Sequence, residues 1–214
     1  MNIALYFAPN TCALAPFVTL TEAGAAFDAR PLDFRKKQQM TPEYLAVNPR
    51  HKVPALVVDG KVLTENVAIQ LWIARTFPAA KLLPADPWEE IKAISILSWC
   101  ASGFHPLMAR INSPAKSCDL PGAAENLRVH AEKELHENFR VVDEMLAGQE
   151  FFFEHFTTAD AHFFWVFRRS SQLGVDLAGF PNCAAHFARM QERASVKVFI
   201  AAETAAVAGF AKVA

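Results

Sequence analysis

Cys12 lies in the run Tyr6-Phe7-Ala8-Pro9-Asn10-Thr11-Cys12-Ala13-Leu14-Ala15-Pro16, which reads as a strand handing over to a helix. Pro16 costs no hydrogen bond only if the helix begins about four residues earlier, near Thr11 or Cys12. That places the thiol at the helix start, where N–H groups lack internal partners and the macrodipole is positive, an arrangement that favours thiolate over thiol. The alternative is a small Cys that merely packs. Tyr6 and Thr11 are the other donors nearby, and Tyr6 also reads as a half-buried strand aromatic. Glu65-Asn66 precedes a second helix, where exposed N–H groups suit a carboxylate and the Glu65 side chain suits an ammonium. Read plainly, the same pair is an N-cap (Asn66) with a solvated neighbour. His105 falls beside Phe104 and Met108 on one helix face, where a histidine is more often a satisfied core residue than a ligand.

The elements that carry these residues follow from pattern. Asn2 to Tyr6 reads as a strand, Cys12 to Ala23 as a helix ended by Gly24, and Phe27 to Leu32 as a second strand. A short helix near Pro42 to Val47 precedes a strand over Pro54 to Val58. Asp59-Gly60 then predicts a tight turn into Lys61 to Leu63, and a helix runs from Asn66 to Phe77. The result is a compact α/β domain over 1–78 with a small mixed sheet. Pro78, Pro84 and Pro87 mark a linker over 79–87. The remainder, 88–214, is helical in pattern: Trp88 to Asn112 kinked at Pro106, Pro121 to Leu146, Ala159 to Leu173, Pro181 to Arg193, and a short piece near Val196 to Ala202. Thr157 and Asp160 form a capping-box variant ahead of an almost wholly apolar helix, so that helix should be central and buried.

Composition narrows the function classes. The chain has 214 residues, a hydrophobic share of 52% and a formal net charge of -1. It can build packed cores, and it offers no basic footprint for nucleic acid or an anionic membrane. The four cysteines, Cys12, Cys100, Cys118 and Cys183, form no C-x-x-C pair, which argues against a zinc ribbon or dithiol motif and fits a reduced, cytoplasmic setting without a bound metal. No signal peptide and no uninterrupted apolar run of spanning length is read.

Taken in order, these motifs resemble the soluble glutathione transferases, specifically the bacterial beta class, over essentially the whole length. Tyr6 and Pro9 with Cys12 to Pro16, Asn48-Pro49, Val53-Pro54-Ala55-Leu56, Leu63 to Asn66 with Ala68-Ile69, and Phe156 to Asp160 are similar to that class's landmarks at their usual separations. The resemblance implies a thioredoxin-like N-terminal domain followed by a helical-bundle C-terminal domain, with glutathione as co-substrate. It implies a cis bond before Pro54 that leaves the Val53 backbone to pair with the tripeptide as an added strand. It makes Cys12 the principal catalytic candidate, ahead of Tyr6 and Thr11. Lys52 is placed to meet the glycyl carboxylate, Glu65 and Asn66 the γ-glutamyl end, and His105 to approach the bound tripeptide. Phe104, Met108 and Arg169 are expected in an electrophile pocket between the domains. Asn66 stands where the family has Ser, Ala13 where many relatives have Ser, Pro106 where Lys follows the histidine, and Arg169 where a Trp is common. The implied activity is conjugation of glutathione to small hydrophobic electrophiles by a homodimer. A thiol-disulfide oxidoreductase or peroxidase using Cys12, and a non-catalytic ligand-binding protein, are the alternatives.

Overall fold

The computed structural model describes residues 1–212. They divide into two compact units: Met1–Leu83 together with the C-terminal segment from Gln191, and Pro84–Met190. The last helix groups with the first unit.

In the first unit, β1 (Ile3–Phe7) pairs in parallel with β2 (Asp28–Pro31) and antiparallel with β3 (Ala55–Val58), which pairs antiparallel with β4 (Lys61–Thr64). The order is β2-β1-β3-β4, a mixed sheet as expected. Asp59 and Gly60 both take positive φ, 47° and 82°, as a type I′ hairpin requires. Alternation along β1 sends neighbouring side chains to opposite faces. Phe7 meets Phe17 at 5.7 Å on the side of α1 (Leu14–Glu22), whereas Tyr6 meets Tyr44 at 5.3 Å beside α2 (Pro42–Leu45). Helix α3 (Asn66–Thr76) packs on α1, where Thr19 donates to Gln70 Oε1 at 2.8 Å in the buried contact.

The second unit holds α4 (Pro87–Trp99), α5 (His105–Asn112), α6 (Ala123–Met145), α7 (Thr158–Gln172) and α8 (Pro181–Glu192). The single helix expected from Trp88 to Asn112 is broken. Pro106 has no N–H for the ladder, and Cys100–Phe104 adopts a π turn closed by the His105 N–H donating to the Cys100 carbonyl. Gly103 is required there, because a Cβ would fall 2.3 Å from Trp99 Cδ1. Helix α7 is the buried centre, as its composition predicts, and starts with the expected capping box between Thr157 and Asp160.

The C-terminal piece is longer than its pattern suggested. Helix α9 spans Ala194–Lys212, and an 18-residue window of mean hydropathy 1.4 makes it long and apolar enough to cross a membrane by length and composition. Lys197 and Glu203 interrupt it, so it is not the uninterrupted apolar run whose absence the sequence predicts. Within the unit, Val196, Phe199, Glu203 and Ala206 form a buried stripe at helical spacing. Phe199 packs on Phe17 at 5.3 Å. Arg193 clasps Glu22 through two nitrogens at 3.0 and 2.8 Å, and the Ser195 hydroxyl donates to the same carboxylate.

Candidate functional site

Three segments of the first unit converge on Cys12. The loop after β1 brings Thr11 and Cys12 to the start of α1, the segment ahead of β3 brings Val53 and Pro54 across a cis peptide bond, and Asn66 opens α3. The Cys12 thiol donates to the Val53 carbonyl at 3.8 Å, and Asn66 Nδ2 donates to the Cys12 carbonyl at 2.8 Å. The β3 ladder with β1 ends at Ala55, so Val53 stands beyond it.

The segment into Pro54 is held from below. Tyr44 Oη and Asn48 Nδ2 both donate to the Lys52 carbonyl, the latter at 2.8 Å, while Asn48 Oδ1 accepts the Arg50 N–H at 3.1 Å. Asn48 is buried, which explains its place as a landmark in the sequence. Lys52 itself is exposed.

Cys12 departs from the thiolate reading. Only 6% of it is exposed, and burial pushes its thiol up to about 11; the Asn66 side chain and its own backbone N–H pull the other way but do not offset that cost. Helix α1 offers little help. It begins at Leu14 with Ala13 as N-cap, so Cys12 lies just ahead of it. Its first donors are also engaged: Leu14 N–H on Thr11 O, Ala15 N–H on Cys12 O and Phe17 N–H on Ala13 O, while Pro16 has none. Burial thus favours the thiol form of Cys12, whose S–H donates to the Val53 carbonyl.

The other hydroxyls expected near the sulfur are turned elsewhere. Thr11 Oγ1 donates to the Ala8 carbonyl at 2.7 Å, and Tyr6 Oη accepts from Arg30 at 2.9 Å on the sheet face away from α1. Neither is brought to Cys12 as a donor. Glu65 is the N-cap of α3, at φ 71°, with no side-chain cap; Asn66 is the first helical residue and reaches across to Cys12 instead of capping. The Glu65 carboxylate is 70% exposed and pairs with Arg50 at 2.8 Å. Arg50, whose guanidinium also reaches Thr64 Oγ1, was not picked out from sequence. A cation two residues past the Asn48-Pro49 landmark was the available signal.

In the helical unit, His105 stacks edge-on to Trp165 with centroids 4.8 Å apart. Phe104 is fully buried against Trp99, Phe139 and Phe163, and Met108 is buried on the same stretch. Residues 104 and 108, expected in an electrophile pocket, follow the core side of the π turn and α5. Arg169 is half-buried, its guanidinium donating to Asn112 Oδ1 at 2.7 Å, and burial lowers its proton affinity.

Comparison with known proteins finds glutathione S-transferases and, at 27% identity over 178 residues (81% of this chain, 80% of the relative), the maleylacetoacetate isomerase of Mus musculus. The glutathione S-transferase N-terminal domain family matches residues 1–75 and the corresponding C-terminal domain family residues 72–189. The chain is 33% identical over 207 residues to glutathione S-transferase GstA of Escherichia coli O157:H7, covering 93% of this chain and 98% of the relative. It superposes on the bacterial beta class glutathione S-transferase of Sphingomonas chungbukensis with a TM-score of 0.83 at 34% identity, covering 94% of this chain and 98% of that one. A sphingomonad glutathione S-transferase complexed with glutathione matches with a TM-score of 0.82 at 31% identity over the same shares of the two chains.

Proposed function

The chain belongs to the glutathione S-transferase family, and on that premise we propose that it joins the sulfur of glutathione to small hydrophobic electrophiles, with Cys12 as a hydrogen-bond donor to the reacting thiolate. The single observation that carries this reading is the buried Cys12 thiol held at 3.8 Å from the Val53 carbonyl, where burial favours its protonated form. A protonated thiol can turn its proton from that carbonyl to an incoming sulfur anion. In the reaction the glutathione S–H gives its proton to solvent, the thiolate forms a bond to the electrophilic carbon, and the leaving group departs with its electron pair.

Around that sulfur, the tripeptide backbone would pair with Val53, placed past the end of the β3 ladder. The Lys52 ammonium suits the glycyl carboxylate. The γ-glutamyl carboxylate suits the N–H groups at the start of α3, and its ammonium suits Glu65, shared there with Arg50. The working form is proposed to be a homodimer, since Trp88, Ile91 and Val62 leave apolar surface for a second copy, which sedimentation would weigh.

The test is conjugation of glutathione to a chlorodinitrobenzene-type electrophile beside exchange with a glutathione mixed disulfide, in wild type, Cys12→Ser and Cys12→Ala. Cys12→Ser keeps a donor and should retain conjugation, while Cys12→Ala should lower kcat/KM at least about tenfold, as loss of a donor to a developing anion does. Fast disulfide exchange that vanishes in both variants, with conjugation unchanged, would replace this reading with the oxidoreductase one. Failure of wild type to be retained on immobilised glutathione would leave the ligand-binding alternative.

A further inference from the structure

Asn66 is unusual in how it spends its side chain. Glu65 holds the N-cap position of α3 and makes no side-chain cap, while the amide of Asn66, the first helical residue, crosses to the start of a different helix. The Cys12 carbonyl it meets also accepts the Ala15 N–H at 3.1 Å, so one oxygen ties the starts of α1 and α3 together directly at the thiol-bearing residue. At the other end of the amide, Asn66 Oδ1 is buried without a hydrogen-bond partner among the described residues, in a residue only 7% exposed. A buried acceptor without a donor carries a cost that native structures keep where it serves a site.

We propose that Asn66 is the positioning residue for Cys12, fixing the backbone that aims the thiol and presenting its amide to the sulfur's surroundings. The inference rests on the reading of Cys12 given above and names what tunes it. Serine, the family's usual residue here, is shorter by about one bond, roughly 1.3 Å, and would not span to the Cys12 carbonyl. The direction of the thiol's proton affinity agrees, since the Asn66 side chain draws it down against burial. The charged groups about the thiol are Glu65, which opposes ionisation, and Lys52, which favours it; Glu203 of α9 is bound to the Asn10 N–H at 2.8 Å, two residues ahead of Cys12.

The test reads Cys12 itself, without glutathione. Alkylation by iodoacetamide is followed at Cys12 by peptide mass spectrometry from pH 6 to pH 10 in wild type, Asn66→Ser and Asn66→Asp, with thermal melting as a check of folding. Asn66→Asp replaces the donor with a like charge and should slow Cys12 alkylation at pH 8 about tenfold, moving the profile up by about one pH unit. Asn66→Ser should slow it by roughly two- to tenfold, the worth of one lost hydrogen bond. Superimposable profiles in the three folded proteins overturn the proposal. So does a rise in KM for glutathione with kcat and alkylation both unmoved, which would make Asn66 a binding residue only. Retention of wild type on immobilised glutathione is scored separately, so loss of the proposed function and loss of this inference give different results.

Discussion

His162 is the perturbation with the clearest magnitude. It is fully buried in α7, neither ring nitrogen has a hydrogen-bond partner among the described residues, and burial, then the neighbouring His105, hold its proton affinity down from 6.5 to about 3. The unfolded chain therefore takes up a proton near pH 6.5 that the folded chain refuses until about pH 3. Because the folded value is the lower one, the stability is present above pH 6.5 and is lost as pH falls through that window. At 1.36 kcal/mol per pH unit, this one residue removes about 2 kcal/mol between pH 7 and pH 5. Replacing it in His162→Leu deletes the titration along with two orphaned nitrogens, so the variant should be at least as stable at pH 7. For a chain of this size the difference amounts to about 4–8 °C in Tm at pH 5. Thermal melts of both proteins at pH 7 and pH 5 read it directly. If the two lose stability in parallel as the pH drops, His162 is not the proton-linked site.

Two further outcomes concern the helical unit. Asp160 accepts from the Thr157 N–H at 2.8 Å, the Thr157 hydroxyl, the Phe152 N–H and His186 Nε2, all around one buried carboxylate. Asp160→Ala should therefore cost about 3 kcal/mol or more in urea unfolding, against about 1 kcal/mol for Thr157→Ala; equal midpoints would show that the cap alone matters. Gly103→Ala puts a methyl group into the Trp99 indole and should cost roughly 1–3 kcal/mol with altered tryptophan fluorescence, whereas an unchanged spectrum and melt would mean the π turn absorbs it freely.

What the sequence made legible is what local rules govern. Strand alternation, Asp59-Gly60, the prolines of the linker and the Thr157/Asp160 box all act within a few residues, and each element they predict is present. Pro106 gave the break but not its form, because a π turn depends on where Trp99 packs over Gly103. The length and allegiance of α9 were missed for a similar reason. An alanine-rich stretch shows little periodicity, and its docking depends on Arg193 finding Glu22, 171 positions earlier.

The site shows where such reading stops. A helix dipole is worth about 0.3–1 kcal/mol at an exposed position and up to about 2 kcal/mol when partly buried. Burial raises the Cys12 thiol from 9.0 to about 11, on the order of 3 kcal/mol in the opposite direction, so desolvation outweighs what the helix start supplies. The hydrogen bonds that hold Cys12 come from Val53 and Asn66, 41 and 54 positions along the chain, and no window around Cys12 contains them. The first-turn N–H groups are likewise consumed by a tight turn whose geometry Pro16 permits without dictating. The consequence is chemical. A thiol that burial holds protonated is a poor nucleophile and a usable donor, so the same burial that works against the thiolate suits Cys12 to stabilise a sulfur anion that belongs to another molecule.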